Sequence, residues 1–247
     1  MIATLNQLQR RLNLATGVDE VRLLDTLRTA AAQIERLAGR HFEPRVHTLT
    51  HTITHPTQLI LQDDLLELDS ITDEHGAITV TCLPYGQTPS SILQATQGFM
   101  AKTVSISGIW GWHNAWESAW RDSLDTVQTA LLSDVATNIP VDDVEGADAL
   151  NEAPRFQIGQ LIRIDAEYMR VLGVQPDYAI LQVERGVNGT TATTHVVDTP
   201  IYTYQPPVEV ASLVVRWAAW LYREPDQRTL TGIPAALMKE LASLRRI

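Results

Sequence analysis

Residues 45–55, RVHTLTHTITH, place threonines at 48, 50, 52 and 54 and set His47, Leu49, His51, Ile53 and His55 between them. A period of two sends the two sets to opposite faces of an extended chain, and β-branched threonine favours that geometry. The segment reads as a strand that opens just after Pro44. The same signal recurs in short runs at 58–61, 66–72, 78–83, 91–94 and 103–109, separated by Asp, Gly and Pro, with a hairpin turn from Asp73 to Gly76. It returns at 160–164, 167–174, 178–184 and 201–204. Between the two groups, 110–132 is open to either a helix or a loop followed by a strand, and the acidic stretch 142–155 reads as a loop.

Outward from this β-rich middle the period changes. Thr4 and Gln7 form a capping-box pattern ahead of Leu5, Leu8 and Leu12, which predicts a helix over 4–14. A longer helix is expected over 19–38, with Leu23, Leu24, Leu27, Ala31, Ile34 and Leu37 as its apolar stripe and Gly39 as its left-handed cap. Its other face carries Arg22, Asp25, Arg28 and Glu35. At the far end Pro207 precedes a stripe of Val210, Val214, Trp217, Ala218 and Leu221, with Pro225 as the stop. A last helix runs from Pro234 through Leu237, Leu241 and Leu244 to Arg245 and Arg246, cations that suit the negative end of a helix dipole. Helices at both ends around a strand-rich middle give an α+β fold: a helical core with β-strands, plus an inserted small all-β domain. The expected partition is a core of 1–112 with 206–247 and an insert of 113–205.

The chain has 247 residues, 45% of them hydrophobic, so a sizeable core is available. Nineteen basic against 29 acidic residues leave a formal charge of −10, which disfavours a sequence-independent grip on a phosphate backbone. An acidic wall that keeps DNA at a distance remains compatible with it. A single cysteine, Cys82, excludes internal disulfides and cysteine-rich zinc sites. No run approaches the roughly 18 apolar residues of a membrane span, and the N-terminal residues lack the apolar centre of a secretory signal. Asn188-Gly189-Thr190 then reads as a turn and not as a glycosylation site.

Candidate chemistry is sparse. His47, His51 and His55 invite a zinc reading, but on a strand positions four apart lie about 13 Å from each other, too far to share one ion. The carboxylates Asp63, Asp64, Glu67, Asp69, Asp73 and Glu74 fit no calcium-loop spacing and read as a solvated or channel-facing strip. The common nucleophile-elbow, metalloprotease and nucleotide-binding signatures are absent, so no catalytic residue, metal or cofactor is expected. His195 follows a threonine run without an identifiable nucleophile and reads as a turn or packing histidine. Trp110, Trp112, Trp116 and Trp120 crowd together, either as core or as contacts to a neighbouring chain.

Two stretches carry a resemblance. Residues 29–45, TAAAQIERLAGRHFEPR, with TVSISGIWGW at 103–112 and PPVEVASLVVRWAAWLYREPD at 206–226, resemble the head-to-tail connector (adaptor) proteins of long-tailed bacteriophages. PRFQIGQLIRIDAEYMRVLGV at 154–174 and LQVERGVNGTTATTHVVDTPIYTYQPP at 181–207 are similar to a β module of phage connector-type proteins. Together they span about residues 20–223. The resemblance implies a structural virion protein of the head–tail junction, made in the host bacterial cytoplasm. It implies a homo-oligomeric ring of about twelve copies beneath the portal protein, a tail-completion or stopper ring below, and DNA passing through the lumen without specific binding. A head- or tail-completion ring, a carbohydrate- or capsid-binding β module over 125–205, and a hydrolase using Asp63 or His195 are the alternatives. On the ring reading, Pro234, Leu237, Met238, Lys239, Leu241, Leu244, Arg245, Arg246 and Ile247 are expected to meet the portal. Arg22, Arg28, Glu35, His47, Leu49, His51, Ile53, His55, Trp116 and Trp120 are expected at subunit contacts, the strand through an unpaired edge.

Overall fold

A computed structural model describes residues 1–15, 17–84, 88–223 and 232–246. The fold is α+β; the described residues form four α-helices, two antiparallel six-stranded sheets and a small two-stranded one. The expectations placed on Pro225 and Ile247 lie outside the described residues.

The chain divides into two compact units, Met1–Gly39 with Ser118–Ile247, and Arg40–Glu117. This partition runs differently from a core of 1–112 with 206–247. Residues 120–204 do supply a sheet of their own, yet it packs with the terminal helices, while the first sheet forms the separate unit. One tie is visible at the start of the chain, where the Met1 ammonium donates to Gly159 O at 2.8 Å and Ile2 and Ala3 are buried.

In the first unit α1 (Leu5–Leu12), α2 (Glu20–Ala38), α3 (Val208–Arg223) and α4 (Ala235–Leu244) pack together. The Thr4–Gln7 capping box forms, with Thr4 N donating to Gln7 Oε1 at 3.0 Å and Gln7 N to Thr4 Oγ1 at 3.4 Å. Gly39 takes φ 66° and ends α2 by donating to Glu35 O. Leu23, Leu27, Ala31 and Ile34 are buried as the stripe predicts, while Leu24 and Leu37 are half-buried and Ala30 and Ala38 complete the packed face. Trp217 lies in the bundle core and donates its indole N–H to Gln33 Oε1 at 2.8 Å, so its one polar atom is satisfied.

The second sheet has the order β7 (Trp120–Thr126), β14 (Pro200–Tyr204), β10 (Leu161–Ile164), β11 (Glu167–Gln175), β12 (Ile180–Glu184), β9 (Asn138–Pro140). A ribbon of β8 (Leu131–Leu132) and β13 (His195–Val196) accompanies it. Residues 120–126 are therefore a strand after a loop, since Ser123, Asp125 and Val127 alternate inward. The Asp165-Ala166 turn joins β10 to β11, with Asp165 at φ 51°. Ile162, Ile164, Met169, Val171, Leu181, Val183 and Ile201 form the buried face. The 142–155 loop is organised by the buried Asp125 carboxylate, which accepts from Asp142 N and Asp143 N, each at 2.9 Å.

The second unit holds the sheet β1 (Arg45–Thr52), β6 (Thr103–Trp110), β2 (Gln58–Asp73), β5 (Ser90–Ala95), β4 (Val80–Leu83), with β3 (Gly76–Ala77) paired to the end of β2. The two runs expected at 58–61 and 66–72 are one long strand with irregular register against both β5 and β6. Its core is Leu59, Leu61, Leu65, Ile71, Leu93, Val104, Ile106 and Trp110. Gly108 lies where β2 crosses β6, and a Cβ there would sit 2.2 Å from Glu67 O.

Candidate functional site

β1 is the edge of its sheet. Ile53 N donates to Lys102 O at 2.8 Å, and alternate residues 51, 49 and 47 turn the same way in the antiparallel register, toward β6. The amides and carbonyls of Val46, Thr48, Thr50 and Thr52 therefore point to the open side. Pairing stops before His55, because Pro56 follows it; His55 is exposed off the strand, its Nδ1 accepting from Thr57 N at 3.3 Å. This corrects its assignment to the edge.

The two faces of β1 differ. Leu49, Ile106 and Ile71 stand in register on the core side, with Leu49 half-buried. His47 is exposed. His51 is buried, stacked on Trp110 with ring centres 5.8 Å apart, and its Nε2 has no hydrogen-bond partner among the described residues. Burial lowers the His51 pKa from its ordinary 6.5, and Asp63 offsets this only in part. His51 thus packs inside its own unit and is not a surface contact. Ile53 is half-buried against the same core.

The outer face is covered with hydroxyls. Thr48, Ser107 and Ser70 form one row across β1, β6 and β2; Thr50, Ser105 and Thr72 form the next; Thr52 and Thr103 form a third. Thr48 Oγ1 donates to Ser107 Oγ at 3.2 Å. The paired positions of these rows are all hydroxyl residues; the exposed Asp69 sits beside Ser70 at the register shift of β2, and Glu67 stands beyond one end, in register with Ile109. Sequence reading placed the threonines on one face of one strand; only the register extends that face over three.

Three carboxylates of the acidic strip are engaged within the unit, while Asp69 and Glu74 are exposed and Asp63 is half-buried. Asp64 is buried 3.3 Å from Arg40 Nε, Glu67 accepts the Trp116 indole N–H at 2.6 Å, and Asp73 accepts His75 N at 2.7 Å in the hairpin turn. Among the described residues no group of three or more His, Cys, Asp or Glu is placed to hold a metal ion.

Other expected contact residues are reassigned by their surroundings. Leu237, Leu241 and Leu244 are buried in the bundle between α2 and α3, which removes the apolar half of the expected portal contact. Lys239 and Arg245 remain exposed, Pro234 and Met238 are half-buried, and Arg246 is half-buried with its N–H on Ala38 O at 3.0 Å. Arg22 is exposed but engaged by contacts within the chain. Its guanidinium lies 4.5 Å from the Tyr222 ring centre and donates to Tyr222 O at 3.2 Å, at the rim of an open cleft of about 490 Å³ between α2 and α3. Arg28 is exposed and paired with Asp25 at 3.4 Å; Glu35 is half-buried. Trp116 is buried against Glu67 and His113, which takes it out of any contact surface. Trp120 is half-buried on the second sheet, 5.0 Å from Tyr168 and 5.4 Å from Tyr204.

A cluster that sequence reading missed lies beneath the β8–β13 ribbon. Glu167 is buried with Arg185 in a two-pronged pair, Nε to Oε1 at 2.7 Å and Nη2 to Oε2 at 2.8 Å. Arg185 also donates to Ser133 O, Ala136 O and Thr193 O. His195 is buried beside them with Nδ1 2.8 Å from Asp165 Oδ2 and Nε2 2.9 Å from Glu167 Oε2. Burial raises the Glu167 pKa, but the Arg185, Thr193 N–H and His195 contacts outweigh it and hold the carboxyl below its usual 4.5. The signal was Glu167 in an inward register position just after the turn, which requires a buried cation.

The chain matches no family model, no curated protein and no solved structure.

Proposed function

We propose that the chain is a structural virion protein, a head-to-tail adaptor that forms a ring of about twelve copies beneath the portal and provides the attachment surface for the tail. The observation that carries this reading is the pairing of an open strand edge with a hydroxyl-rich face free of cations on β1. A ring repeats one heterologous contact until it closes, and the outward backbone groups of Val46, Thr48, Thr50 and Thr52, without a partner among the described residues, support such a contact with a neighbouring copy. The adjoining hydroxyl rows hydrate well and carry no cation to hold a phosphate, which suits a wall past which DNA moves. The net charge of −10 acts in the same sense.

In this reading the exposed Lys239 and Arg245 on and after α4 face an acidic portal surface, and the tail-completion or stopper ring binds on the opposite side. The assembly belongs to the head–tail junction of a virion put together in the bacterial cytoplasm, with no membrane and no enzymatic step. Electron microscopy of the chain mixed with its cognate portal protein tests it. A second ring stacked coaxially under the portal is the expected result; free portal rings would move the chain to a completion ring one level lower or to an outer binding module.

A further inference from the structure

One face of the second sheet gathers a cation, a carboxylate and aromatic rings, of which the ring reading uses Trp120 alone, as an expected subunit contact. The register sets Asp122 on β7, Tyr202 on β14 and Arg163 on β10 in one row, with Trp120 on the same face opposite Tyr204. Arg163 Cζ lies 4.8 Å from the centre of the Trp120 ring and 5.2 Å from that of Tyr202. All four side chains are half-buried and reachable.

Four other half-buried arginines of this unit give the comparison, a fifth, Arg170, donating to Gly159 O at 3.2 Å. Arg121, Arg155, Arg185 and Arg216 each sit on a carboxylate, as expected in a chain with 29 acidic residues. Arg163 has no ion pair or hydrogen bond among the described residues and is fixed by the two rings instead. Ring contact orients the guanidinium plane while leaving its N–H edge free for a planar acceptor.

We propose that the Trp120–Arg163–Tyr202 face is a binding site for an acidic saccharide, a pyranose bearing one carboxylate. The carboxylate takes the two-pronged N–H edge of Arg163. Sugar hydroxyls meet the Tyr202 hydroxyl and the Asp122 carboxylate, whose Oδ1 already accepts Leu124 N at 2.8 Å. Apolar C–H groups of the sugar pack against the half-buried Tyr202 ring. Asp122 lies two strand spacings from Arg163, about 10 Å, the reach of a disaccharide. The inference stands apart from the ring reading and neither requires nor excludes it.

Titration calorimetry on the full chain tests it with trigalacturonate, neutral maltotriose and hexaglutamate as probes. Trigalacturonate is expected to bind and maltotriose not to. Arg163→Gln should weaken binding at least about tenfold, with Arg163→Lys intermediate because it keeps the charge and loses the fork. Thermal melts establish that each variant is folded; should Arg163→Gln melt early, Tyr202→Ala reads the same loss. Absence of trigalacturonate binding at millimolar concentration, or binding unchanged in folded Arg163→Gln and Tyr202→Ala, overturns the site. Hexaglutamate binding as tightly as trigalacturonate overturns the saccharide assignment and gives the site to an acidic protein segment.

Discussion

His195 Nε2 and Glu167 Oε2 meet at 2.9 Å with neither side chain reaching solvent. Through Arg185, the same carboxylate reaches the carbonyls of Ser133, Ala136 and Thr193, so one buried acid ties the β8–β13 ribbon to the β10–β11 hairpin. Deleting one partner of such a pair leaves a buried charge uncompensated, which costs more than the pair contributes.

Glu167→Gln is accordingly expected to destabilise the sheet by about 3–5 kcal/mol, and Glu167→Leu with Arg185→Met to recover part of the loss. Urea unfolding followed by circular dichroism measures both. A double variant weaker than either single one would contradict the account.

Acid should act on the two units through different groups. In Arg40–Glu117, the lowered His51 pKa means that the unfolded chain binds the proton more readily, so stability is full above 6.5 and falls as pH drops below it. In the other unit, the lowered Glu167 pKa contributes stability that is full above 4.5 and is lost as pH falls through the lower value of the fold. Melting curves from pH 7 to 3 should show loss beginning near 6.5, and His51→Phe should flatten the pH 5–7 part alone.

The edge of β1 gives a backbone test. The Thr50 N–H points to the open side, so Thr50→Pro removes no bond to β6 and is expected to leave the chain folded. On the ring reading proposed above it blocks pairing with a neighbouring copy. Loss of ring formation with an unchanged melting temperature is the expected outcome in electron micrographs, with Thr50→Val forming rings as before.

Gly108→Ala should be severe for a change of one methyl. The added Cβ would fall 2.2 Å from Glu67 O, a backbone atom that moves only if β2 moves. A loss of about 1–3 kcal/mol, typical of overpacking, is the expectation, read from the urea midpoint.

On the adaptor reading, Lys239→Glu on α4 with Arg245→Glu just after it should weaken portal binding and leave the melting temperature unchanged, because both side chains are exposed. Leu241→Ala should instead cost about 2–5 kcal/mol of stability, since Leu241 is fully buried in the bundle. Pull-down on immobilised portal and thermal melts separate the two effects.

Local chemistry determined much of this protein from sequence alone. The Thr4–Gln7 box, the α2 stripe with its Gly39 cap, the alternation at 45–52 and the turn at Asp165 are each set by residues a few positions apart, and those elements form as read. Periodicity also gave α+β. What tertiary structure decided depends on register and packing between distant segments. The α4 leucines look alike in sequence whether they face a partner or a core, and here α2 and α3 cover them. Glu167, Arg185 and His195 are brought together by a ribbon and a hairpin, while the hydroxyl face exists because β6 sets Ser105 and Ser107 between threonines of β1 and the Ser70–Thr72 segment of β2. Arg163 acquired its rings in the same way, from strands 40 residues apart in the chain, β10 and β14 among them. Sequence spacing fixes which face a residue occupies within one element; which residues share that face across elements is a property of the folded sheet.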